Sequence, residues 1–390
     1  MEVNSNCIVG GNVQVENLYL LSGKQLTVSD DVPLNGADVG ITMEAAGVFI
    51  TLTDPNTASC FHSQDASVPM QQNGNSLSLG AAAPVGHTHC ICNGNAVGLG
   101  DHVCDDEVQW TAWSTKTALP TTSGYYYLTE NVTLSAMFEM KDKLDLKICL
   151  NGHTITGPGS GKRAFLLRDA DLSITDCQGT GLVTNEASNN VNGGLIYQYS
   201  GSSCNKYNNS VNLYGGTLSV TGTAKTAGVI YLGNNSSVDY YATFNMYGGK
   251  IMGCEATDYA GCIAVIHNCV CNVYGGEITG GTAGKVGDDI YITSGSLKLL
   301  GGTIGGVYSS VSTVSVGGNV QVQSVQLTSG KTVTVSQELP LSGALIGMVL
   351  DAPGLFASNV TNEEMAQCFT NAKLWQTTYD PDAKTLSFTE

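Results

Sequence analysis

Three copies of a strand ending in Tyr-Gly-Gly constrain this chain more than any other feature. VNLYGG ends at Gly216, FNMYGG at Gly249 and CNVYGG at Gly276, and a degraded copy, LKLLGG, ends at Gly302. The tyrosines stand 33 and then 27 residues apart, and Leu300 follows 26 residues later. Each copy closes a segment in which apolar and polar residues alternate, the pattern of a strand with one buried face. The intervals leave too little chain for crossover helices, which excludes a doubly wound sheet. A period of this size with strand composition marks a stack of supersecondary units. Coiling the chain so that each strand pairs with its equivalent one turn later predicts three parallel sheets, with like residues about 4.8 Å apart.

The alternation assigns the core. Val211/Leu213, Phe244/Met246, Cys271/Val273 and Leu297/Leu299 should point inward, and Ile196, Ile230, Ile263 and Ile290 should form a second inward column. Each Gly-Gly supplies the positive φ or tight bend that a corner demands. The expected fold is therefore all-β, a single-stranded parallel β-helix closed by small helix-plus-hairpin caps.

A second repeat is longer. Residues 9–41 match residues 316–348 at a constant offset of 307, and Cys60-Phe61 returns as Cys368-Phe369. The chain reads as the tail of one long unit followed by a whole one, which suggests tandem copies within a longer protein. The expected divisions are 1–80, the tail of a preceding unit; 81–114, a linker and His/Cys-rich module; 115–350, the β-helix; and 351–390, a C-terminal cap. In that cap, Thr361 followed by NEEMAQCF reads as an N-capped short helix with acids in its first turn. LWQTTYDPDAKTLSF reads as a hairpin turning at Pro381-Asp382.

Charge narrows the partners. Lys and Arg number 16 against 33 Asp and Glu, a net of −17, which argues against nucleic acid and anionic membrane surfaces. No apolar run reaches the about 18 residues of a membrane span, and Met1 leads into polar EVNSN rather than a signal peptide.

LNGHTITG (150–157), LSITDCQGTGLV (172–183) and the serial YGG rungs resemble the right-handed parallel β-helix repeats of the pectate-lyase-like group. They are most similar to the non-catalytic forms in large surface proteins of gut Firmicutes. The resemblance covers about 120–350 and implies a right-handed coil. Together with the tandem duplication and acidity, it suggests a secreted or surface-displayed bacterial module for adhesion or display, binding host or dietary glycans or glycoproteins.

Outward tyrosines are the candidate ligand-binding residues. Tyr214, Tyr247 and Tyr274 should form one exposed ladder, with Asn212, Asn245 and Asn272 on the same face. Tyr197, Tyr231 and Tyr291 should form another on a different sheet. Aromatic rings can stack on pyranose faces while amides bond sugar hydroxyls; the alternative is that the rings only stabilise neighbouring rungs. Loops at 200–210 and 233–243 offer a second reading, a host protein such as an immunoglobulin as partner. Cys90, Cys92, His102 and Cys104 could hold a structural zinc, against a disulfide or reduced thiols. Cys269 and Cys271 point to stacking or to a disulfide with Cys254.

Catalysis finds little support. The polygalacturonase-like relatives carry paired aspartates, Gly-His-Gly and Arg-x-Lys, whereas this chain has Asp288-Asp289 and a distant Asn151-Gly152-His153. Adjacent strand residues point to opposite faces, so Asp288 and Asp289 cannot work together. Arg163 and Arg168 are its only arginines. A polysaccharide lyase or hydrolase of the same fold is the competing class.

Overall fold

The computed structural model describes residues 2–3, 7–21, 24–44, 47–64, 70–73, 75–79, 110–159, 161–200, 208–234, 242–371, 373 and 375–389. The chain divides into two compact units, Met1–His87 and Thr88–Glu390.

The larger unit is a parallel β-helix. One face is a sheet of thirteen strands running from Thr111–Trp113 to Gly354–Ser358 in parallel, then closed by the antiparallel pair Thr385–Thr389 and Gln376–Asp380. The other faces share an eighteen-stranded sheet, in which strands pair with equivalents one turn on. Among the Tyr-Gly-Gly rungs, Asn209–Leu213 pairs with Ala242–Met246, which pairs with Val270–Val273.

Register lines the apolar residues into files. Val211, Phe244, Cys271, Leu297 and Val314 are successive partners, and all are fully buried. Ile196, Ile230, Ile263 and Ile290 form the second file, also fully buried. A third file, not singled out from the sequence, runs Ile155, Val183, Leu218, Ile251, Ile278 and Ile304. The three meet in one continuous core. Burying each such side chain is worth about 1.5–3 kcal/mol, and branched residues suit the pleat because their restricted rotamers lose little freedom there.

The far end is capped as the sequence suggests, with one shift. The short helix Glu363–Gln367 takes Asn362, not Thr361, as its N-cap; the Asn362 side chain accepts from the Met365 amide at 2.8 Å. One residue closer to the helix, the Asn362 carboxamide oxygen reaches the free N–H that the cap must satisfy. In the hairpin turn the Asp380 carboxylate accepts from the Asp382 and Ala383 amides. Phe388 stacks on Phe356 at 4.1 Å beneath Trp375, closing the apolar end of the coil.

The smaller unit repeats this ending in miniature. Glu2–Val3, Gln14–Leu20, Asp38–Met43 and Phe61–Ser63 form one parallel sheet. Cys7–Val9, Leu26–Val28 and Gly47–Thr51 begin a second, completed by an antiparallel hairpin, Met70–Asn73 with Ser76–Leu79. Its short helix, Pro55–Cys60, is of the 3-10 type and is capped by Asp54. Its own core includes Leu18, Val39, Ile41, Phe49 and Leu77.

The glycine pairs explain how the rungs close up. The second glycine of each pair has positive φ, 76° at Gly249 and 88° at Gly276. A Cβ on Gly276 would lie 2.6 Å from the Gly249 carbonyl oxygen. That same oxygen accepts the Glu277 amide at 3.1 Å. Side chain and rung-to-rung hydrogen bond would thus compete for one place. Gly280 has a similar φ of 80° but no neighbour closer than 4.0 Å. Gly280→Ala should therefore cost only the left-handed backbone term, about 1–2 kcal/mol. Gly276→Ala should cost more than that, read from urea midpoints; equal losses in the two variants would show that close approach at the corner does not matter.

Candidate functional site

The tyrosines that end the first sheet's strands extend its ladder. The Tyr214, Tyr247 and Tyr274 amides bond the Ile174, Leu213 and Met246 carbonyls one rung back, each at 2.8 Å. With inward residues on either side of the alternation, the side chains lie outside the core and are half-buried. Their rings stack nearly parallel, Tyr214 on Tyr247 at 4.8 Å and Tyr247 on Tyr274 at 5.1 Å. Each ring contact of this kind is worth about 0.5–1.5 kcal/mol. The consequence for recognition is direct. The facing ring surfaces cover one another, so a ligand alongside the file meets ring edges and hydroxyls.

Asn212, Asn245 and Asn272 form a directional amide ladder beside them. Asn272 donates to the Asn245 side-chain oxygen and Asn245 to that of Asn212, both at 2.9 Å, and Asn212 donates to Ser173 at 3.3 Å. The file ends at the Asn272 side-chain oxygen, which is buried without a partner; next in register is Lys298, whose ammonium faces Glu338 at 3.8 Å instead. An amide must both give and take a bond to extend such a ladder.

The second tyrosine file is not the one expected. Tyr197 and Tyr231 stack at 5.0 Å with 5° between planes, but the partner of Tyr231 in the next rung is Ala264, which has no ring. Tyr231 and Tyr291 therefore do not follow one another in register. Tyr291 instead stacks on Tyr259 at 4.4 Å and on Tyr308 at 5.6 Å. Tyr259 ends the strand Glu255–Tyr259 on the neighbouring face, and no period in the sequence pointed to it. Cations join this surface: Arg163 lies over Tyr197, Arg168 over Tyr199 and Lys285 over Tyr259, at 4.4, 5.1 and 4.7 Å from the ring centroids.

Burial pushes the phenols up. Desolvation, with added repulsion from Tyr274, raises Tyr247 to about 12. Desolvation raises Tyr231 to about 12 as well, with Tyr197, Cys269 and Tyr291 adding to it. Tyr197, Tyr274 and Tyr291 shift upward from the same first cause. At neutral pH these groups are uncharged and can both donate and accept.

Residues weighed for catalysis serve the backbone. Asp289 is 4% exposed, and accepts the Gly281 and Gly306 amides at 2.9 and 2.7 Å and the Cys262 thiol at 3.3 Å. Burial raises its pKa, opposed by the two amide bonds. Asp288 is exposed and accepts the Ala283 amide. Glu277 pairs with Lys250 at 3.0 Å, and that bond lowers its pKa. In Asn151-Gly152-His153, Asn151 donates to the Leu128 carbonyl, and the Gly152 amide bonds Asp176.

The nine described cysteines are free thiols, so Cys254 makes no disulfide with Cys269 or Cys271. Cys271 takes a core position between Phe244 and Leu297, where a thiol packs as a small apolar group. The suggested zinc ligands Cys90, Cys92, His102 and Cys104 lie outside the described residues, as does most of the 200–210 loop and of the 233–243 loop. Among the described residues, no group of three or more His, Cys, Asp or Glu side chains converges.

No family model, curated protein or solved structure matches this chain.

The tyrosine file makes a prediction about pH. An unfolded tyrosine ionises near 10, and Tyr247 in the fold at about 12. A raised folded pKa means that the unfolded chain loses its proton first. Stability should be fully present below about pH 10 and fall as pH climbs through about 12. Thermal melts across this window should show Tyr247→Phe losing less stability than the parent. A parent and variant that decline in parallel would contradict the shift.

Proposed function

We propose that the protein is a non-catalytic display module that binds hydroxyl-rich glycans, free or on glycoproteins, along the Tyr214–Tyr247–Tyr274 face. The single observation that carries this reading is the paired file of phenols and carboxamides at one repeat, rung after rung. Ring stacks spaced at 4.8 and 5.1 Å hold the phenol edges in a straight row. A row of uncharged donors and acceptors is suited to a ligand that repeats hydroxyl groups along its length. A rigid sheet positions such a row without the ordering cost that a loop would carry.

The mode of contact differs from pyranose stacking on ring faces. The faces support the rungs, and the ligand meets hydroxyls and ring edges. Secretion or surface display, in tandem with further copies, belongs to the same reading and draws on the 307-residue duplication and the net charge of −17. Likeness to pectate-lyase-like repeats supports it through the rung pattern. The aspartates that a hydrolase would need instead hold backbone amides, which favours binding over bond cleavage.

The test separates hydroxyls from rings. A triple variant carrying Phe at Tyr214, Tyr247 and Tyr274 keeps the ring stack and removes the polar edge. On a glycan and mucin array it should keep the parent's melting temperature and lose binding about tenfold or more, as expected when two or three modest hydrogen bonds go. Undiminished binding by a folded triple variant would reject this face as the site.

A further inference from the structure

The third face of the coil opens with an unpaired cation. Arg163 and Lys162 sit on the turn before the strand Phe165–Arg168, beside an open groove of about 480 Å³. Its walls are Ala136, Met137, Gly161, Lys162, Arg163 and Val191. The turn is held from below by Asn185, which is 1% exposed and donates to the Lys162 carbonyl at 2.8 Å and to the Gly194 carbonyl at 2.6 Å. The Gly159 amide in turn donates to the Asn185 side-chain oxygen at 2.9 Å. The backbone at Gly159 and at Lys162, next to Arg163, is thus tied to one buried side chain.

The bonding of Arg163 is incomplete. Its guanidinium lies over the Tyr197 ring, and its Nε is buried with no hydrogen-bond partner. It makes no ion pair among the described residues, and neither does Lys162. The other arginine is satisfied, since Arg168 pairs with Glu139 at 3.4 Å. Glu186 stands over Gly159 and bonds neither cation. Burial of the Arg163 guanidinium also lowers its pKa, the mark of a charge short of compensation.

We infer that Arg163 and Lys162 form a binding site for a small organic oxyanion, a carboxylate or sulfate ester with one apolar side. The guanidinium fork fits a planar or tetrahedral oxyanion through the paired N–H donors of its terminal nitrogens. Exposed Lys162 adds a second charge at the rim. Ala136, Met137 and Val191 provide apolar wall for the body of the ligand. Tyr197 braces the guanidinium by a cation–π contact at 4.4 Å and is itself stacked on Tyr231 at 5.0 Å. This site is separate from the Tyr214 face and does not depend on glycan binding there.

Calorimetry on the full chain tests it with benzoate, phenyl sulfate, inorganic sulfate and neutral benzamide. Benzoate or phenyl sulfate should bind saturably, with the stronger of the two naming the preferred anion. Inorganic sulfate should compete and benzamide should not bind. Arg163→Met, which keeps an unbranched chain against Tyr197, should lower affinity about tenfold or more, the worth of a charge-assisted pair of hydrogen bonds. Lys162→Gln should lower it about two- to fivefold, as a rim charge does. Equal binding of benzamide, no saturable binding of either anion, or full affinity in a folded Arg163→Met would overturn the inference. Should Arg163→Met fail to fold, Lys162→Gln decides at this exposed position, and unchanged affinity there would overturn it.

Discussion

The coil depends on how closely its backbone approaches itself at the glycine corners. The carbonyl of one rung's second glycine accepts the amide that follows the same glycine in the next rung, as Gly216 does for Lys250 and Gly249 for Glu277. A side chain at either glycine would occupy the space that this carbonyl fills. The first glycine of each pair is confined as well, since a Cβ on Gly248 would lie 2.6 Å from the Tyr214 carbonyl. Once these corners stack, strand register follows, and with it the position of every inward and outward side chain.

Stacking like on like has opposite effects inside and outside. Inside, it puts Phe244 beside Val211 and Cys271, and Ile263 between Ile230 and Ile290, so each rung's apolar surface is buried by its neighbours rather than by its own residues. Outside, the same geometry turns a row of tyrosines into a closed stack. Away from the Tyr-Gly-Gly corners, a buried polar side chain ties the rungs together. Asn185, Asn209 and Asp289 are each almost fully buried and each bonds backbone groups of neighbouring segments. Losing one would leave several buried amides or carbonyls without partners, which makes these residues structural before they are anything else.

Much of the first sheet was legible because its signal is local. Val211, Leu213, Phe244 and Met246 could be assigned to the core from alternation alone, and the three tyrosines to the outside. The amide ladder could be placed but not given a direction, since that depends on which rung lies at each end. The second tyrosine file failed at Ala264. Its ring is replaced by Tyr259 from another strand, and a substitution in space between segments leaves no mark at the expected interval. The inward file from Ile155 to Ile304 repeats from Leu218 at the tyrosines' own intervals of 33, 27 and 26 residues, but several of its strands are only three residues long and show too little alternation to stand out. Arg163 drew attention as one of two arginines, yet its missing partner is visible only where neighbouring turns come together.

The sequence by itself determined the architecture: period, alternation and paired glycines leave a parallel coil as the arrangement that satisfies backbone and core together. It also determined which residues face outward, because the pleat alternates irrespective of what lies beyond it. Only the tertiary structure decided what those residues present. Ring faces are covered by rings one turn away, amides bond in one direction, and Arg163 is left beside an open groove with no ion-pair partner among the described residues. Each of these outcomes rests on contacts between residues tens of positions apart, and chain order does not record distance across a turn.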